Sequence, residues 1–78
     1  MTRKLTAAVS QRALIARINR KLRPEEEEIK TARGARAEQE LGQFYILNFS
    51  RNYIVSSHVD PEELGRSLNV LAAHERVV

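Results

Sequence analysis

The sequence predicts an α+β fold: a small antiparallel sheet of two to three strands, with an N-terminal and a C-terminal helix packed on one face. Three observations carry that expectation. Leu14, Ile15, Ile18 and Leu22 recur at the 3.6-residue helical period. Two runs rich in aromatic and β-branched residues, 44–49 and 53–57, flank a short polar turn. Asp60-Pro61-Glu62-Glu63 then opens a second apolar-periodic segment. Helices and strands segregated along a chain this short are most simply layered as helix on sheet.

Taken in order, residues 1–5 read as a frayed basic arm. Ser10 is a suitable N-cap for the first helix, because its hydroxyl can accept from an unpaired amide of the first turn. Thr6 is an alternative start one turn earlier. Pro24 closes the segment, since proline disfavours helical geometry in the residue before it. Residues 24–34 admit two readings. Proline in a first turn followed by acids suits a helix start, but only Ile29 and Ala32 are apolar before Gly34. A charged loop feeding a short strand over 29–32 is therefore preferred. Residues 35–41 form a helix of at most two turns, ending at Gly42.

The hairpin follows, with Ser50-Arg51-Asn52 as a three-residue turn in which Asn52 takes the left-handed conformation. Alternation puts Phe44 and Ile46 on one side and Tyr45, Leu47 and Phe49 on the other. All four aromatics of the chain lie in this hairpin and are expected to fill the core. Asp60 caps the last helix, Pro61 occupies its first position, and Leu64, Leu68 and Leu71 supply its buried side. Asn69 marks its end, and residues 72–78 are expected to trail as a loose tail.

The 78 residues suffice for one domain, 1–78. A domain of that size buries only roughly 60% of its unfolded surface and is marginally stable. The chain contains no cysteine, which removes disulfides and thiolate metal sites and leaves homodimerisation as a route to extra burial. No apolar run approaches the roughly 20 residues needed to cross a bilayer, and the basic start lacks the apolar segment of a signal peptide. A cytoplasmic protein with no membrane association is the expectation.

Charge is the most informative property. The formal net charge of +3 conceals a division along the chain. Residues 1–36 carry ten bases against the glutamates 25–28, and residues 37–78 carry three against six acids. Ten of the thirteen bases are arginine, whose planar fork suits phosphate and carboxylate oxygens. Arg12, Arg17, Arg20, Lys21 and Arg23 lie on the first helix outside its apolar stripe, and Arg33 and Arg36 flank Gly34. Such a set fits nucleic-acid backbone contacts or an acidic protein surface. Against this, four glutamates immediately downstream stand ready to pair with it.

A helix–strand–strand–strand–helix order is similar to that of the double-stranded RNA-binding domain. That family meets phosphates at the start of its last helix, where this chain has Asp60, Glu62 and Glu63, so no motif residue carries over. A helix-turn-helix needs a second amphipathic helix that residues 24–34 do not supply. His58, Asp60 and the distant His74 make a thin set for a metal site, and Ser56 and Ser57 lack a placed base. The expectation is a non-enzymatic, nucleic-acid-associated protein without cofactor or metal. The alternative is an interaction module, docking on an acidic protein or self-associating through Tyr45, Leu47 and Phe49.

Overall fold

A computed structural model describes residues 7–78; the basic arm expected over 1–5 lies outside the described residues. The order is β1 (Ala7–Val9), α1 (Gln11–Leu22), a 3-10 turn (Arg23–Glu25), β2 (Glu27–Thr31), α2 (Ala35–Leu41), β3 (Phe44–Asn48), β4 (Tyr53–Ser56), α3 (Pro61–Ser67) and β5 (Glu75–Val77). The fold is α+β, as the sequence predicts, with β2, β3 and β4 forming an antiparallel sheet in that spatial order.

α1 begins where the hydroxyl of Ser10 accepts from the amide of Ala13 at 3.0 Å. Its buried face is Leu14, Ile18 and Leu22, one residue per turn, set against Ile29, Phe44 and Ile46 from the sheet. α3 packs on α1, and Leu71, just beyond α3, completes the buried cluster. The approach of α3 is close because residue 65 is glycine: a Cβ there would lie 2.7 Å from Leu14 Cδ1. Residue 42 is glycine for a second reason. It has φ +78°, and a Cβ would fall 2.7 Å from His58 Cα, so the end of α2 and the exit from β4 meet backbone to backbone.

The hairpin register pairs Ile29 with Ile46 and Lys30 with Tyr45 across β2–β3, and Leu47 with Ile54 across β3–β4. A bulge between Ile46 and Leu47 interrupts the second ladder, leaving Val55 the extra residue. Asn52 takes φ 61°, as its place in the turn predicts. The turn is also held by Asn48, whose side-chain oxygen accepts from the amide of Arg51 at 2.7 Å. Asn48 is buried, and this bond satisfies a polar group that burial would otherwise leave costly.

Four sequence expectations are corrected. The strand expected at 29–32 runs instead over β2, starting at Glu27, because Asn48 and Leu47 of β3 extend the ladder past the glutamates. The three-residue turn is a four-residue one, closed by the amide of Asn52 donating to the carbonyl of Asn48 at 2.7 Å. The aromatics do not all fill the core: Phe44 is buried, whereas Phe49 and Tyr53 are each 49% exposed. The tail expected over 72–78 contains β5, which pairs in parallel with β1 through Ala7–Glu75, Ala8–Arg76 and Val9–Val77. A parallel pair needs a long crossover, and here nearly the whole chain supplies it. Neither three-residue strand has a pattern of its own to announce it.

Candidate nucleic-acid interface

The face of α1 that turns away from the sheet is built by helical spacing. Positions 12, 16, 20 and 23 stand one above another, separated by one turn each, on the side opposite Leu14 and Ile18. They hold Arg12, Ala16, Arg20 and Arg23, all exposed. Ala16, Asn19, Arg20 and Arg23 line an open depression of about 530 Å³. Lys21 lies a step around the helix and, with Arg17, Arg20 and Val70, lines another of about 370 Å³.

The decisive question is whether these cations are neutralised. Among the described residues the ion pairs are Arg17–Glu75 at 2.9 Å, Lys30–Glu28 at 4.0 Å, Arg36–Glu40 at 3.7 Å and Arg66–Glu62 at 3.2 Å. None joins a base of α1 to the glutamates 25–28. Those acids are drawn off by backbone geometry: Glu26 takes a left-handed φ of 62°, and Glu27 and Glu28 enter β2. Arg23 shares a depression with Glu26, Glu27 and Glu28, alongside Asn19 and Phe49. The acidic rim therefore borders one end of the basic stripe and leaves Arg12, Arg20 and Lys21 without a carboxylate within 4.0 Å among the described residues.

Arg17 has a different role. Its Nη1 donates to the carbonyl of Val70 at 3.0 Å and to Glu75 Oε1 at 2.9 Å. The same Glu75 oxygen accepts from the amide of Ala72 at 2.8 Å. The Arg17 hydrogen bond, with that amide, holds the Glu75 carboxyl below its ordinary pKa. Arg17 is thus consumed in fastening the segment after α3 to α1. Arg66 adds to the clasp by donating to the carbonyls of Ala72 and Glu75, each at 2.9 Å.

Arg33 and Arg36 lie on the connection from β2 into α2 and at the start of α2, both exposed. Arg36 faces Glu40 one helical turn on, a solvent-screened pair worth little. α2 packs on β3, whereas α1 packs on β2 and α3, and neither Arg33 nor Arg36 lines the depressions along the α1 stripe. The interface residues expected on the hairpin divide as well: Tyr45 and Leu47 are half-buried and Phe49 is exposed. Tyr53, Ile54 and Val55 are exposed apolar residues on β4; their β-branched and aromatic character signals a strand in the sequence but not which of its sides is open.

His58 takes φ 55° and shares an open depression with Ser56, Ser57, Asp60, Glu63 and Ser67. The Asp60 carboxylate accepts from the amide of Glu62 at 3.0 Å, the bond of a helix cap. Among the described residues no three His, Asp or Glu side chains gather as a metal site, and no helix is long and apolar enough to cross a membrane. No family model, curated protein or solved structure matches this chain.

Proposed function

We propose that this is a non-enzymatic nucleic-acid-binding protein that uses the outer face of α1 for backbone contacts. Arg12 and Arg20 provide the charge of that face, Lys21 adds a base on its flank about 100° round the helix from Arg20, and Arg23 lies at the acidic border of the stripe. One observation carries the reading: three bases on one helix are exposed and free of carboxylate partners among the described residues, although four glutamates follow three to six residues beyond the helix end. From Arg12 to Arg23 the stripe is about 16 Å long at 1.5 Å per residue, enough to lie along several phosphates of one strand. Arginine forks on a rigid helix pay little reorganisation when they meet phosphate oxygens. Asn19, the amide side chain that lies among the bases, is already engaged by the amide of Ile29, so the contacts are of the positioning kind and indifferent to base sequence.

The test is a fluorescence-anisotropy titration of the full chain with a labelled DNA duplex at several salt concentrations. Binding is expected at low salt, with log affinity falling linearly as log salt rises. Arg12→Gln with Arg20→Gln lowers the affinity and flattens the slope by about 0.9 for each phosphate contact removed. No binding at low salt overturns the proposal, as does a double variant that binds with the wild-type slope.

A further inference from the structure

We propose that β4 is a self-association edge, through which two copies of the chain pair antiparallel into one six-stranded sheet. The two outer strands of the sheet are treated very differently. At β2 the outward amide of Ile29 donates to Asn19 Oδ1 of α1 at 2.7 Å, so the helix closes that edge. At β4 the pairing is to β3 alone, and no other hydrogen bond reaches residues 53–56 among the described residues. The open edge is also apolar, with Tyr53 49%, Ile54 42% and Val55 40% exposed. Edge strands that remain single are normally guarded by lysine, proline or an inward charge. The sequence Tyr53-Ile54-Val55-Ser56-Ser57 contains none of these; its guards are its short length and the bulge at Val55.

Charge selects a second copy as the occupant and fixes the direction of pairing. The turn that leads into β4 carries Arg51, which has no ion pair among the described residues. The segment leaving β4 runs to Asp60, Glu62 and Glu63. A two-fold axis at Val55 sets Val55 of one copy opposite Val55 of the other, Ile54 opposite Ser56 and Tyr53 opposite Ser57. It directs Arg51 of each copy toward the acidic end of its mate. A parallel pairing would instead set like charges side by side. The strand is neutral along its length, so the pairing meets no charge at its centre.

The symmetry of this arrangement has a consequence for the basic helix. An antiparallel pair of adjacent strands is related by a two-fold axis perpendicular to the sheet, so both α1 helices lie on the same face. Dimerisation therefore presents two arginine stripes to one polyanion and raises its hold on a long target through effective concentration. The dimer itself stands on β4 alone and is measured without nucleic acid.

The experiment is sedimentation equilibrium on the full chain up to roughly 0.1 mM, well above the micromolar constants that even weak interfaces of ordinary size give. The wild type is expected to sediment with twice the mass of the chain at the upper concentrations. Val55→Lys, with circular dichroism to verify folding, shifts it to monomer. Arg51→Glu, which alters only an exposed side chain on the turn, weakens the dimer at least several-fold and serves as a second probe if Val55→Lys fails to fold. A wild type that stays monomeric throughout overturns the proposal. So does a dimer that survives both variants but is broken by Leu47→Lys, because the contact is then the sheet face rather than its edge.

Discussion

Arg17 and Glu75 lie 58 positions apart in sequence and 2.9 Å apart in space, and this pair converts a basic residue of α1 from a binding group into a structural one. Its side chains are 35% and 15% exposed. The carboxylate oxygen that Arg17 holds also accepts from Ala72, so one atom fixes both the turn before β5 and its attachment to the helix.

This arrangement sets a pH dependence. The Glu75 carboxyl titrates below its ordinary value of 4.5 in the folded protein because Arg17 and the Ala72 amide favour its ionised form. A depressed carboxyl adds stability above the unfolded pKa and loses it as pH falls through the folded one. Wild-type thermal midpoints are therefore expected to fall on acidification through and below 4.5. Glu75→Gln lowers the midpoint at neutral pH and makes that acid-side decline shallower. A Glu75→Gln profile parallel to wild type across this range would mean the pair is not coupled to folding.

The two arginines at positions 17 and 20 should separate cleanly by experiment. Arg17→Gln frees the Val70 carbonyl and the Glu75 carboxylate of their partner, so it lowers the thermal midpoint while leaving the salt slope of DNA binding near wild type. Arg20→Gln removes an exposed side chain with no ion-pair partner among the described residues, so it leaves the stability within about 0.5 kcal/mol of wild type and reduces the slope. Paired melting curves and titrations decide between this division of labour and an undivided basic face.

The contact of Gly65 with Leu14 predicts a coupled pair. Leu14 is fully buried, so its Cδ1 has little room to yield to a new Cβ 2.7 Å away. Gly65→Ala is expected to cost about 1–3 kcal/mol by overpacking, and Leu14→Ala about 2–5 kcal/mol by leaving a cavity. Combined, the added methyl faces the space the leucine vacates, so the double variant loses less than the sum. Urea denaturation of all four proteins closes the cycle, and strict additivity would show that α3 does not rest on Leu14.

How much of this was legible depended on whether the signal was local. Ser10 and Asp60 announced their helices because a cap is read from one residue and its neighbours. Gly42 and Asn52 announced turns because backbone conformation restricts residue choice. The β1–β5 pair was invisible because three-residue strands carry no period and their partners lie at opposite ends of the chain. The basic stripe was legible as composition, but its make-up was not. That Arg17 leaves it for Glu75, and that Glu27 and Glu28 enter β2 rather than folding back on the helix, are outcomes of tertiary placement. The strand at Tyr53, Ile54 and Val55 is legible but its exposure is not, because strand-forming residues look alike whether they fill a core or wait for a partner.

Asn19 offers the sharpest test of how the sheet is bounded. It sits on α1 among basic neighbours and reads as one more polar surface residue, yet its side-chain oxygen lies 2.7 Å from the amide of Ile29, whose side chain is buried. Asn19→Ala removes the acceptor and leaves that part-buried amide unsatisfied, for about 1–3 kcal/mol of lost stability. Asn19→Asp keeps an oxygen in place and is expected to retain most of it, because the carboxylate accepts the same bond. Ile29 is the relevant probe for hydrogen exchange: its amide is protected in wild type and in Asn19→Asp, and exchanges faster in Asn19→Ala. Equal losses in both variants would place the value of Asn19 in its shape rather than its oxygen, and the helix would then no longer count as the element that closes the β2 edge.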